Sequence, residues 1–222
     1  MRIAKQRVMI AVLTVFGIVV AGLLSPSHAA QCTHKIGSIL SLTGAYGAHG
    51  VPISRAAQLG VEQVNEARKQ LGVGCELVYD VRDSNTQASV AVDAARKLID
   101  LEGVTALVGP ISSGITAPLL SSVTVEEEIL VIATASTSST FTNMGKRGET
   151  KGLFFRTLPA DALQAVAAAK MAYDAGFRRP AILYWNNDWG KNNQGEFVDA
   201  FRALGGEIAQ AVPFNPDQPS YR

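Results

Sequence analysis

From residue 35 onward, short apolar runs alternate with stretches of helical period, and few architectures accommodate that alternation. Residues 35–40 read as a strand that ends at Ser41-Leu42-Thr43-Gly44. From Pro52, the residues Ile53, Ala56, Ala57, Leu59, Gly60 and Val64 recur at helical spacing. Residues 76–80 form the next strand. Residues 88–101 form an amphipathic helix whose stripe is Val90, Ala91, Ala94, Ala95, Leu98 and Ile99. A third strand at 105–108 is closed by Gly109-Pro110, and a helix over 115–127 leads to a fourth strand at 130–133. A polar loop rich in Ser, Thr and Gly is expected over 134–152, then a fifth strand at 154–157.

Leu158-Pro159-Ala160-Asp161 interrupts this rhythm and caps a new helix over 162–174. A strand at 181–185, a helix at 194–204 and a strand at 207–212 follow, and 213–222 has no period. Repeated strand–helix units with apolar strands predict an α/β fold, a doubly wound parallel sheet with right-handed crossovers. The interruption near Pro159 divides the chain into a first lobe over 31–158 and the start of a second over 159–222. Too few units follow it to make a covered sheet, so the second lobe is expected to be incomplete, a truncated piece of a longer one. A chain of 222 residues with 47% apolar and 18% charged content can bury a sizeable core, which excludes disorder. The formal net charge of +1 leaves no basic footprint, so no nucleic-acid partner is expected.

Arg2, Lys5 and Arg7 precede an unbroken apolar run over 8–24, which ends at Ser25-Pro26-Ser27. Ser27 and Ala29 occupy the −3 and −1 positions of a small-x-small cleavage site. This layout predicts a secretory signal peptide over 1–30 and a mature chain working in the periplasm. The alternative is a retained anchor, for which the run lies at the bottom of the spanning range. An oxidising compartment permits a disulfide between Cys32 and Cys75, which precede the first and second strands. Two buried free thiols are the other reading. Two cysteines are too few for a zinc cluster.

In open α/β sheets a ligand sits beyond the carboxyl ends of the strands, where strand order reverses. Three loops leave such ends with suitable chemistry. The first, residues 42–50, carries Gly44, Gly47 and Gly50 with His49, in a spacing unlike that of a dinucleotide or phosphate loop. A plain turn into a helix is the simpler reading. The second, Gly109-Pro110-Ile111-Ser112-Ser113-Gly114, sets two hydroxyls at a helix N-terminus, which suits a carboxylate; it could equally be an N-cap. The third, residues 133–140, includes Ala135, Ser136 and Thr137, whose carbonyls and hydroxyls could accept from an ammonium. Alone it would read as a solvated loop. Catalytic readings fare poorly. Beyond the leader only His34 and His49 remain, no nucleophile elbow exists, and no His pair has metal-ligand spacing. No enzyme activity, cofactor or metal is expected.

The ordered set Ile36-Gly37, Leu42-Thr43-Gly44, Gly50, Val61-Glu62-Gln63-Val64-Asn65, Asp80, Asp83 and Val108-Gly109-Pro110-Ile111-Ser112-Ser113 is distinctive. It continues with Ile132-Ala133-Thr134-Ala135-Ser136-Thr137, Phe155-Arg156-Thr157, Ala181-Ile182-Leu183-Tyr184, Asn187-Asp188-Trp189-Gly190 and Gly205-Gly206. Together these resemble the type I periplasmic binding proteins of the branched-chain amino-acid (Leu/Ile/Val) transporter class. The resemblance implies two lobes that close like a hinge over a small ligand. It implies that Ser113, with Ser112 in the same loop, holds a ligand carboxylate. Ala135 and Thr137 would receive the amino group, with Ser136 counted in the same loop. His49 would line the cleft, and Trp189 would cover the ligand from the second lobe. The implied function is the extracytoplasmic solute-binding component of an ABC importer, which delivers an amino acid or similar carboxylate to a membrane permease. A ligand-sensing ectodomain coupled to a membrane partner is the runner-up. Members of the class are longer, and their second lobe supplies further contacts, including an acidic group for the ligand ammonium.

Overall fold

In the computed structural model the described residues are 32–215 and Ser220. The leader expected over 1–30 lies outside them, as does most of the aperiodic end. Strand β1 (Cys32–Leu40) becomes fully buried over its last four residues, as a strand covered on both faces must be. It is flanked by β2 (Cys75–Asp83) and β3 (Ala106–Val108), and β4 (Leu130–Ala133) and β5 (Phe154–Arg156) extend the sheet in the order β2-β1-β3-β4-β5. The pairs β1–β3, β3–β4 and β4–β5 are parallel, with Ile36 opposite Ala106, Ala106 opposite Leu130 and Val131 opposite Phe154. A separate parallel pair joins β6 (Ala181–Trp185) to β7 (Gln210–Phe214). Pro213 is tolerated in β7 because its missing N–H falls on an edge strand.

Among the described residues six α-helices complete the alternation: α1 (Gly47–Gln70), α2 (Ala88–Asp100), α3 (Ser113–Leu119), α4 (Ser139–Lys146), α5 (Ala162–Asp174) and α6 (Asp188–Ala203). The stripe expected on α2 is buried at Ala91, Ala95 and Leu98, which pack with Ile39, Leu107, Leu119 and Val131 in the main core. Burying one such leucine contributes about 2 kcal/mol. Among the described residues, no helix is long and apolar enough to cross a membrane. Cys32 opens β1, Cys75 opens β2, and both are disulfide-bonded.

The strands expected at 76–80 and 207–212 are found at Cys75–Asp83 and Gln210–Phe214, and four helical segments differ from the sequence expectation, each for a local reason. Helix α1 starts at Gly47, not Pro52. A 3-10 turn over Gly44–Tyr46 runs straight into it, and proline, which favours the first helical turn, sits deeper inside. The glycine at position 50 is required there, because a Cβ would collide with the Ser41 carbonyl oxygen. Helix α6 likewise starts at Asp188, not residue 194. Asn187 Oδ1 accepts from the Gly190 N–H at 2.8 Å, and a Cβ at Gly190 would strike the Trp185 carbonyl oxygen. The expected loop over 134–152 contains α4: Ser138 caps it, and Phe141, 2% exposed, anchors it against Phe154 with ring centroids 5.0 Å apart. The expected helix over 115–127 is α-helical only as far as Leu119. Pro118 removes one of its hydrogen bonds, and a wider turn over Leu120–Thr124 follows.

The connection from β1 to α1 is held by the end of β2. Asp83 Oδ1 accepts from the N–H groups of Leu42 (2.9 Å), Thr43 (3.2 Å) and Asn85 (2.8 Å), and Oδ2 accepts from the Thr43 hydroxyl at 2.5 Å. Burial pushes this carboxyl up, but the hydroxyl and the backbone donors outweigh it and hold it below its ordinary value. A carboxyl lowered in the folded state stabilises above its unfolded value, and that contribution is lost as pH falls through the folded one. The melting temperature of Asp83→Asn should therefore lie furthest below the parent near neutrality, with the gap closing below about pH 4; thermal melts at stepped pH measure it. Gly50→Ala, which forces helix and strand apart, should destabilise the fold by about 1–3 kcal/mol in chemical denaturation.

Candidate ligand-binding site

The order β2-β1-β3-β4-β5 reverses direction between β1 and β3, and such a reversal opens a crevice at their carboxyl ends. A cavity of about 350 Å³ lies there, at the small end of the range for ligand sites. The first sheet's loops line it with Tyr46, Ile111, Ser112, Ala135 and Thr137, α1 adds His49 and Ile53, and α3 adds Ser113. The chain beyond β5 adds Leu158, Asp161, Gln164 and Trp189.

The glycine-bearing loop is rigid. Beyond the Asp83 bonds, Thr86 Oγ1 donates to the Thr43 carbonyl at 3.0 Å and accepts from the Tyr46 N–H at 3.2 Å. Thr86 does this at φ +55°, a strained value for a β-branched residue. Its bonds fix Tyr46, which stacks on Trp185 at 5.1 Å and meets the exposed His49 edge-on at 6.1 Å. Burial pushes the Tyr46 phenol up, so it stays neutral.

Ser112 and Ser113 are buried at the start of α3. Neither caps the helix through its side chain. The Ser112 carbonyl accepts from Ile115 and Thr116, and the Ser113 hydroxyl oxygen accepts from the Ser138 N–H at 3.2 Å. The proton of Ser113 is therefore left to donate. In the third loop, neighbouring side chains go to different places. Ala135 and Thr137 face the cavity, but Ser136 does not line it. Its buried hydroxyl braces the loops instead, 2.5 Å from Thr116 Oγ1 and within 3.2–3.3 Å of the Pro110 and Ile111 carbonyls. Arg156 ties the same loop through the Ser138 carbonyl (2.9 Å), the Ser136 carbonyl (3.4 Å) and Thr142 Oγ1 (2.6 Å). Burial lowers its guanidinium, and the nearby Asp161 charge opposes that.

Asp161 is the residue that pattern reading misassigned. It occupies the N-cap position of α5 but makes no side-chain cap bond. Its Oδ2 instead accepts from Thr137 Oγ1 and from Trp189 Nε1, each at 2.5 Å, and its N–H donates to the Thr137 carbonyl at 3.0 Å. The cavity thus brings together His49, Ser112, Ser113, Ala135, Thr137 and Trp189, leaves out Ser136, and adds Asp161, Tyr46 and Gln164. Tyr46 had a visible cue, an aromatic side chain inside a glycine-rich loop; Asp161 and Gln164 had only the signs of an ordinary helix start.

A family model described as periplasmic binding protein matches residues 33–222. The Leu/Ile/Val-binding protein BraC3 of Rhizobium johnstonii is 33% identical over 180 residues, covering 80% of this chain and 46% of that protein. LivJ of Streptococcus pneumoniae, solved with isoleucine, superposes with a TM-score of 0.68 at 21% identity, covering 86% of this chain and 52% of that one. A solute-binding protein of an ABC transporter from R. palustris, solved with 4-hydroxybenzoate, gives 0.68 at 22% identity, covering 85% and 49%. At such identities the two structures speak for the fold alone. The chain spans about half the length of the relatives it matches. The relatives are solute-binding proteins, not enzymes. The family match over nearly all the described residues makes this chain a member of the periplasmic binding protein family, and the parallel sheet with its strand order gives it the type I fold of its structural neighbours.

Proposed function

We propose that this chain belongs to the extracytoplasmic solute-binding component of an ABC importer, and that it grips an amino acid or similar small carboxylate without transforming it. The observation that carries this reading is the cavity lined by Ser113 and Thr137 from the first sheet and by Asp161 and Trp189 from the chain beyond β5. Residues 31–158 act as the first lobe and the chain from residue 159 as the start of the second. A ligand between them is held by both, which is how binding drives closure. Ser113, with a proton to donate and its oxygen fixed by Ser138, holds the carboxylate. Trp189 covers the ligand body with its ring. The leader over 1–30 directs the protein to the periplasm, where the loaded form meets a membrane permease. Support comes from the Leu/Ile/Val-binding name of BraC3 and from the bound isoleucine and 4-hydroxybenzoate in the two structural neighbours.

A thermal-shift screen of L-amino acids and small aromatic carboxylates tests the reading. A ligand present at about 100 times its Kd adds about 2.7 kcal/mol and raises the melting temperature by about 5–10 °C. At least one member should produce such a shift, and a screen in which none does would sink the proposal. Ser113→Ala removes a hydrogen bond to a charged group and should weaken that ligand by about 10- to 100-fold in calorimetric titration.

A further inference from the structure

The run Val61-Glu62-Gln63-Val64-Asn65 on α1 takes no part in the cavity, and its last residue bonds elsewhere. Asn65 reaches β2, the outer strand of the first sheet, and engages a single residue there with both halves of its amide. Its Oδ1 accepts from the Leu77 N–H at 2.8 Å, and its Nδ2 donates to the Leu77 carbonyl at 2.8 Å. A neighbouring strand would make the same two bonds. One turn further along α1, Arg68 Nε donates to the Cys75 carbonyl at 2.6 Å. Successive residues of a strand turn their backbone groups to opposite edges, so Cys75, Leu77, Tyr79 and Val81 look outward while Glu76, Val78 and Asp80 look toward β1. The Ser84 N–H, which donates to the Leu40 carbonyl at 2.8 Å, has the parity this requires. Among the described residues, no side chain caps Tyr79 or Val81 in this way.

We infer that Asn65 is a strand mimic, which keeps a second copy of this chain from adding its own β2 to the edge of the sheet. An uncovered edge strand is a template for pairing with another chain, and the β2 sequence complements itself. In an antiparallel pair centred on Tyr79, the midpoint of the strand, the whole of β2 overlaps. Leu77 then lies opposite the partner's Val81, and Glu76 opposite the partner's Arg82, with each match repeated by the two-fold axis. Glu76 and Arg82 are exposed. Arg82 reaches Asp80 of its own chain at 2.7 Å through one terminal nitrogen, so its guanidinium keeps donors for the partner's Glu76. That register needs the outward N–H and carbonyl of Leu77, and Asn65 holds both. With them taken, only Tyr79 and the partner's Tyr79 are left to exchange bonds. The next register, which sets Tyr79 opposite the partner's Val81 and depends less on Leu77, shortens the overlap and brings Asp80 against the partner's Asp80. Like charges directly opposite are destabilising. The amide thus closes the complementary register, and charge opposes the one beside it.

Sedimentation velocity over a dilution series reads the self-association directly. No ligand enters the test, so its outcome is independent of the proposed function. Asn65→Ala should associate with itself at least about 10-fold more tightly than the wild-type chain, and as a dimer. Adding Glu76→Arg sets like charges across the pair and should return the monomer. Adding Arg82→Glu to that double variant restores opposite charges and should bring the dimer back. An Asn65→Ala chain that associates no more than the wild type overturns the inference. So does association that ignores both charge changes, which is what exposed core surface in a loosened fold would produce. If Asn65→Ala does not fold, amide hydrogen exchange in the wild-type chain supplies the reading. The Leu77 N–H should exchange at least about 10-fold more slowly than those of Tyr79 and Val81, each corrected for its intrinsic rate. Equal rates at the three positions mean that Asn65 closes nothing, and the inference fails.

Discussion

Strand β1 pairs with β2 on one side and β3 on the other, so the connections that leave its end and the end of β3 diverge. The gap between them is a consequence of backbone hydrogen bonding in the sheet, before any side chain is specified. Everything at the site is hung on that gap. The 42–50 loop borders it because Asp83 and Thr86 clamp the loop from the neighbouring β2. The Ser112–Ser113 corner borders it because β3 ends at Val108, and the 134–137 segment because β4 ends at Ala133. Substituting a wall residue alters what binds, whereas unpairing β1 from β3 would remove the place where anything binds.

With no lysine or arginine among the described wall residues, the cavity of the proposed reading would hold its ligand by dipoles and hydrogen bonds. On the proposed reading, each hydrogen bond to a charged group of the ligand would contribute about 1.5–3 kcal/mol net. Selectivity then depends less on the number of contacts than on their direction. Direction is set one layer back, by the Ser138 N–H behind Ser113 and the Asp161 carboxylate behind Thr137. The Ser136 hydroxyl, locked against Thr116 and two carbonyls, gives the loop the stiffness that keeps those directions constant.

Periodicity in the sequence made the alternation of strands and helices legible, because a stripe such as Ala91, Ala95 and Leu98 is buried for the same reason that it is regular. Ser113 and Thr137 were legible as well, since strand ends in a parallel sheet are the expected ligand positions. What the pattern could not carry is tertiary choice among equivalent local options. Asp161 satisfies every local criterion for a helix cap, yet two donors brought from elsewhere in the fold outbid the backbone N–H groups. Ser136 differs from its neighbours only in turning its hydroxyl to Thr116 and the Pro110 and Ile111 carbonyls instead of lining the cavity. Helix α4 looks like a loop in composition and is a helix because Ser138 caps it and Phe141 finds a buried contact. The starts of α1 and α6 were hidden by glycines that signal turns locally but serve close helix–strand approach here.

The second sheet has two strands, below the three or more that usually sustain a sheet unaided. Its order comes from helix packing: Phe201 is fully buried, with the rings of Phe197 and Tyr173 at 5.5 and 5.9 Å, and Ala165 and Ala169 let α5 and α6 approach closely. Leu183 and Leu163 remain 67% and 78% exposed, so much of the apolar surface of this part gains nothing from burial. Asp161 and Trp189 stand on those two helices. On the proposed reading, the half of the wall that would cover a ligand is thus carried by the less buried support, while the half that would hold its carboxylate is carried by the main core. A ligand touching both would add contacts where the intrinsic packing is thinnest, and its binding energy would be coupled there to the ordering of α5 and α6.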